Sequence, residues 1–296
     1  MPAPELVECP SPRVGDVDRP IGMFDSGFGG LTVARALIDL LPEEHLVYVG
    51  DTGRYPYGPR PQREVAGFAR QIAWSLVKEH QVKLIVVACN TAAAAVLEEL
   101  EDELPVPVVG VIEPGARSLV RATRNGRVGV IGTVGTMQSG AYQRAVHATG
   151  IDVELTGAAC PGFVEFVERG ETTGEQVTIL AERLLAPVKD AGVDTLLLGC
   201  THYPFLARVI SDVMGRDVVL VSSADETAFE TSALLAREGL LRPAGFGPGR
   251  HRFYSSGDVS RFADLGRQLL GPELATAYPV WFDSDPRWAD GPVDGP

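Results

Sequence analysis

Short β-branched runs alternate with longer amphipathic segments through the middle of this 296-residue chain, and the series occurs twice. The apolar runs are residues 21–24, 46–49, 84–88, 106–112, 128–131, 153–155, 195–198 and 218–221. Helical periodicity follows most of them, at 31–41, 63–80, 92–103, 115–124, 137–149, 175–191, 205–214 and 225–238. That alternation predicts βαβ units and parallel sheets. Self-similarity organises the runs. IGMFDSG at 21–27 matches VGVIGTV at 128–134, with Gly50 opposite Gly157. After a short insertion, the helix pattern from Glu64 to Lys78 matches that from Glu175 to Lys189, and VKLIVVACNT at 82–91 matches VDTLLLGCTH at 193–202. Val108 and Val109 fall opposite Val218 and Val219. The identities are few, but their order is kept.

The expected fold is therefore α/β: two pseudo-symmetric α/β domains with mainly parallel sheets and an active site in the cleft between them. Residues 21–113 with about 226–271 form the first domain, and 114–225 the second. A Pro/Gly-rich linker at 243–249 leads to a strand at 252–255 and a closing helix at 258–270, which return to the first domain. Residues 1–20 are expected to be a disordered N-terminal extension and 272–296 a C-terminal tail; these 45 residues hold ten of the 22 prolines. Trp281 and Trp288, two of only three tryptophans, lie in that tail. Disordered segments are poor in aromatics, so the tail is expected to dock on its own subunit or a partner.

The net charge of −13 argues against direct nucleic-acid binding, which needs clustered Lys and Arg to displace counterions. No window approaches the ~18 apolar residues of a membrane span, and the N-terminus lacks a signal-peptide pattern. The expectation is a soluble cytoplasmic protein with no membrane association. Cys9, Cys89, Cys160 and Cys200 form no CxxC pair, and the five histidines form no HExxH, so free thiols and no metal site are expected.

In open parallel sheets, ligands bind beyond the carboxyl ends of the strands, where the repeat puts Asp25, Cys89 and Cys200. Each cysteine precedes a predicted helix, whose free amides are expected to lower the thiol pKa and attract carboxylates. Two thiols related by a pseudo-twofold axis can face opposite sides of one small molecule, as inversion of a stereocentre requires: one removes the Cα proton and the other delivers one. A buried free cysteine is commonly mere packing, but matched positions in both repeats favour chemistry. The glycines of DSGFGGLT permit close backbone approach to a ligand, although a tight β-to-α turn explains them equally well. Gly132-Thr133 stands where the first repeat has Asp25-Ser26. FVEFVERGE at 163–171 and His202 supply polar groups on the other side, with Glu165 and Glu168 both candidates. Residues 51–52 and 55–58 form a loop suited to covering the site.

FDSGFGGLTV, GDTGRYPYG, VACNTA, VGVIGT, ACPGFVEFVERGE, LLGCTHYP, VSSADETA and FYSSGD, in this order from Ile21 to about Gly271, resemble the glutamate racemase family. The resemblance implies cofactor-independent interconversion of L- and D-glutamate, supplying D-glutamate for peptidoglycan. It implies Cys89 acting on the D-enantiomer and Cys200 on the L-enantiomer, with Asp25 supporting Cys89 and Glu168 and His202 supporting Cys200. Glu168 is preferred to Glu165 as the last residue of the family's hydrophobic-Val-Glu pattern. Implied substrate contacts are Asp25, Ser26, Tyr57, Gly58, Asn90, Thr91, Thr201 and His202. A homodimer and inhibition of DNA gyrase are further properties the resemblance implies. The three lysines, Lys78, Lys83 and Lys189, lie on predicted helices or just before a strand, which suits none of them to a pyridoxal-phosphate Schiff base. Rival readings are an aspartate or hydantoin racemase, a one-thiol decarboxylase on the same fold, and a non-catalytic small-acid sensor or inhibitory binding protein.

Overall fold

The computed structural model describes residues 14–282. Two sheets carry the architecture. The first is built from β1 (Ile21–Asp25), β2 (Leu46–Gly50), β3 (Leu84–Val87) and β4 (Val108–Gly110). The second is built from β5 (Arg127–Gly132), β6 (Glu154–Ala159), β7 (Thr195–Gly199) and β8 (Val219–Val221). Their spatial orders are the same, β2-β1-β3-β4 and β6-β5-β7-β8, and every pairing is parallel. The chain then returns to extend the first sheet with β9 (His251–Ser255) beside β2 and β10 (Ala277–Pro279) beside β9. Helices cover the faces, so β1, β2, β3 and β7 are buried along their whole length, which is why they read as unbroken apolar runs.

Strand register tests the repeat. Ile21 pairs with Leu84 as Val128 pairs with Thr195, which supports the alignment of VKLIVVACNT with VDTLLLGCTH. Elsewhere the expected matches slip by two residues. Gly50 pairs with Asp25, and at the equivalent place Gly132 pairs with Ala159, so the counterpart of Gly50 is Ala159 and not Gly157. Likewise Ile85 pairs with Val108 where Leu196 pairs with Leu220, so Val108 corresponds to Leu220 and not Val218. A two-residue slip leaves the alternation of faces unchanged, and the apolar pattern is blind to it.

Other elements also depart from the sequence reading. The predicted helix at 137–149 is two helices, Val134–Gln138 and Ala141–Ala148, broken at Gly140, whose φ of 69° is a left-handed value. FVEFVE is itself a helix, Phe163–Glu168, entered through Gly162 at φ 94°. The segment around Pro204 becomes a single 3-10 turn, Tyr203–Leu206, ahead of Ala207–Met214. Within the N-terminal extension, expected to be disordered, Val14–Val17 forms a helical turn; residues 1–13 lie outside the described residues.

A buried ion pair ties this turn to the body. Lys83, only 2% exposed, places Nζ 2.5 Å from Glu44 Oε2 and donates to the carbonyls of Val17 and Leu240. Glu44 Oε1 accepts from the amide of Arg242. Removing one partner leaves an uncompensated buried charge, so Glu44→Ala should cost about 3–5 kcal/mol in denaturant unfolding. The double variant Glu44→Leu with Lys83→Met should recover most of that loss, because an apolar pair of similar volume removes the desolvation cost.

Candidate active site

One cleft of about 580 Å³ lies between the halves, and the loops lining it follow the carboxyl ends of β1, β2 and β3 on one side and β5, β6 and β7 on the other. Cys89 and Cys200 both line it, each two residues beyond residues that the register makes equivalent, Val87 and Leu198. Ser26, Tyr57, Gly58, Asn90, Thr91, Thr201 and His202 line it as well. Asp25 stands directly behind, wholly buried, and Glu168 borders the adjoining cavity formed with Phe28, Tyr55 and Arg261. The sequence-selected residues are thus gathered in one place.

Cys89 is the N-cap of the helix Asn90–Glu103, and its sulfur lies 3.7 Å from Ser26 Oγ. Burial pushes its thiol pKa up to about 12, and the Asp25 carboxylate adds to the rise. The Ala92 amide and the Ser26 hydroxyl pull downward and are outweighed. The expectation of a lowered thiol pKa is reversed at Cys89, because desolvation exceeds what the helix start returns. Cys200 differs again. It leads into the short 3-10 turn, not an α-helix, and its sulfur meets His202 Nδ1 at 4.0 Å.

His202 Nε2 contacts Glu168 Oε1 at 3.0 Å. Burial works against the imidazolium, but Cys200, Glu168 and Asp25 outweigh it and raise the His202 pKa to about 10. Arg261 Nη2, from the closing helix Val259–Leu270, donates to the Glu168 carbonyl at 2.6 Å. Glu165 is exposed at the cleft mouth and makes no comparable contact with His202.

Asp25 accepts from the Gly27 amide and, across the cleft, from Thr201 Oγ1 at 3.2 Å. It therefore touches the loop bearing Cys200 while its charge acts on Cys89. Gly27 and Gly29 of DSGFGG serve the approach of the other half. A Cβ on Gly29 would stand 2.5 Å from His202 Nδ1 and 2.7 Å from Thr201 Oγ1. Tyr57 gives its hydroxyl to the buried Asp51, and Gly58 accepts from the Gly135 amide through its carbonyl. Asn90 Oδ1 accepts from Tyr142 at 2.5 Å, which leaves Nδ2 as a buried donor without a partner.

Several contributors escape the sequence reading. Thr133 lines the cleft and shares hydroxyl contacts with Thr91 at 2.9 Å and Thr136 at 3.0 Å; its position opposite Ser26 in the repeat is the available signal. Cys160, a third thiol in the lining, follows β6 as Asp51 follows β2: its amide donates to Gly132 as that of Asp51 donates to Asp25. Burial raises its pKa to about 12, with Cys200 adding to the shift. Tyr142 and Arg261 have no local signal. Neither the three lysines nor any described arginine lines the cleft, and among the described residues no group of His, Cys, Asp and Glu has the geometry to hold a metal ion. No described helix is long and apolar enough to cross a membrane.

Residues 30–230 match the family model described as Asp/Glu/Hydantoin racemase. The chain is 54% identical over 270 residues to a protein of Parafrankia sp. named glutamate racemase, covering 91% of this chain and 97% of that one. A crystal structure of a glutamate racemase isoform from Bacillus anthracis superposes with a TM-score of 0.83 at 43% identity, covering 90% and 98% of the two chains. A glutamate racemase from Francisella tularensis, solved in complex with D-glutamate, superposes with a TM-score of 0.82 at 32% identity, covering 91% and 99%.

The raised pKa of His202 fixes the sign of a pH effect. Its ion pair contributes stability in full below about pH 6.5, the ordinary histidine value, and loses that contribution as pH rises through about 10. An NMR titration should place the His202 midpoint near 10 in the wild type. In Glu168→Gln the midpoint should fall by at least about one unit.

Proposed function

The chain belongs to the Asp/Glu/Hydantoin racemase family, on its glutamate racemase branch, and we propose that it interconverts L- and D-glutamate with Cys89 and Cys200 as the two acid/base groups. The observation that carries the two-thiol reading is that both sulfurs line one cleft from equivalent strand ends of the two halves. One sulfur, as thiolate, takes the Cα proton, and the opposite thiol gives a proton to the other face. Asp25 serves the Cys89 side. His202, held by Glu168, moves a proton to or from the Cys200 side. Asn90 Nδ2 suits a carboxylate oxygen, and the hydroxyls of Ser26 and Thr91 add to a neutral set of polar groups around a dicarboxylate substrate. Fixed donors aimed at the developing charge are what a carbanion requires when no cofactor delocalises it.

On the same reading D-glutamate passes to peptidoglycan synthesis in the cytoplasm. Homodimerisation and gyrase inhibition are carried by the family resemblance alone. Domain boundaries at about 113 and 226 belong to the same reading; they are compatible with a division that gives β5 to β8 to one half and the remaining strands to the other.

Polarimetry with L-glutamate and L-aspartate, each without added cofactor, tests the substrate, and activity confined to aspartate would overturn the assignment. Cys89→Ser and Cys200→Ser should each lower kcat/KM by about 10²–10⁴-fold. The loss should be equal in both directions, because the equilibrium constant between enantiomers is one. A full rate with either sulfur absent would contradict the two-thiol reaction.

A further inference from the structure

The C-terminal segment takes no part in the chemistry, yet it reaches the loop that carries Tyr57 and Gly58. β10 adds to the sheet edge in register with β9, Ala277 opposite Phe253 and Pro279 opposite Ser255, and the Val280 amide continues the ladder to the Ser255 carbonyl. This pairing sets down the next residues beside the loop after β2. Trp281 points away, 80% exposed. Phe282 turns inward, and its ring centre lies 4.7 Å from the Arg54 guanidinium carbon. The docking expected of the tail thus falls on the chain's own first sheet; Trp288 lies outside the described residues.

Arg54 meets a second ring, that of Phe68, at 4.2 Å. Its Nε donates to Asp51 Oδ2 at 2.7 Å and its Nη1 to Gln71 Oε1 at 2.6 Å, while Nη2 is buried with no hydrogen-bond partner. A guanidinium over an aromatic face is held electrostatically, so the two rings add to these polar contacts. Asp51 is fully buried and collects Arg54, Ser256 Oγ and the Tyr57 hydroxyl. Tyr57 packs on Phe68 with ring centres 5.5 Å apart and presents its other surface to the cleft. A continuous chain of contacts joins Phe282 to the cleft wall through Arg54, Asp51 and Tyr57.

We propose that Phe282 and Arg54 are positioning residues for the substrate loop, residues 51–58, and that the C-terminal segment is the strap that seats them. The kinetic part rests on the glutamate racemase reading; the mechanical part does not. Without the Phe282 ring, Arg54 loses one of its two ring contacts, the Asp51 carboxylate is less firmly placed, and Tyr57 and Gly58 sample positions off the cleft wall. The effect belongs to substrate binding and not to proton transfer, since the hydrogen-bond partners of the two sulfurs, Ser26 and His202, lie outside this chain of contacts.

Hydrogen–deuterium exchange of the full-length protein tests the mechanics without substrate. In Phe282→Ala, amides of residues 52–55, 57 and 58 should exchange at least about threefold faster. Those of the neighbouring helix Gln62–His80 should keep their wild-type rates, and Phe282→Trp should restore the loop. Loop exchange at the wild-type rate, or acceleration spread evenly over the protein, would overturn the proposal. Phe282→Leu, which keeps an apolar side chain but offers no ring face, carries the same test should the alanine variant fold poorly. In the racemisation assay the KM for both enantiomers should rise about three- to tenfold with kcat within about twofold of wild type. An unchanged KM would contradict the positioning role, whereas absence of glutamate turnover in the wild type would strike the functional reading and leave the exchange result standing.

Discussion

Everything in this molecule depends on the seam along which the carboxyl ends of two like parallel sheets meet. The seam is built from direct polar contacts between the halves. Gly135 donates to Gly58, and Gln62 Nε2 donates to the Gly135 carbonyl. Thr91 meets Thr133, Tyr142 holds Asn90, Thr201 reaches Asp25, and Arg261 grips the carbonyl of Glu168. Gly29 and Gly58 lie where a Cβ would collide with His202 and Thr133, so the seam closes only with glycine at those places. The relative placement of Cys89 and Cys200 is a consequence of these contacts, since each sulfur is fixed within its own half by the end of a buried strand. Acid/base chemistry from two sides of one carbon needs that placement held tightly, because small misalignments of a positioned group are costly in rate.

The sequence is most legible where burial leaves the least freedom. Fully buried parallel strands permit little besides β-branched and aliphatic residues, which is why 21–24, 46–49, 84–88 and 195–198 are conspicuous and why the repeat points to two domains. It misleads where the pattern has no grip. A slip of two residues preserves the alternation of faces, so the sequence sets Gly50 against Gly157 when its counterpart in the second sheet is Ala159. The helix at 137–149 looks continuous because one glycine in an amphipathic pattern is tolerated, and only its left-handed φ reveals the break.

At the site, chemistry-bearing residues at strand ends are legible, whereas residues that act by reaching across the seam are not. Tyr142 and Arg261 are an ordinary tyrosine and an ordinary arginine on amphipathic helices until the other half is present. The expected thiol pKa at Cys89 fails for a related reason. Proximity to a helix start can be read from sequence, but the depth of burial that overrides it cannot. The net charge of −13 is reconciled with a dicarboxylate amino acid by the same geometry: the cleft offers hydroxyls, amides and an unpartnered Asn90 Nδ2, with no described Arg or Lys in its lining.

Isotope incorporation addresses the two-sided reaction most directly. Wild-type protein is given protiated L-glutamate in deuterium oxide, quenched after a small fraction has reacted, and the separated enantiomers are weighed by mass spectrometry. With two thiols, the group that delivers is not the group that abstracted and has equilibrated with solvent. The D-glutamate formed should therefore carry one deuterium at Cα from the first turnovers, while the remaining L-glutamate stays protiated. D-glutamate that retains the original protium would contradict the two-thiol reaction and point to a single group serving both faces.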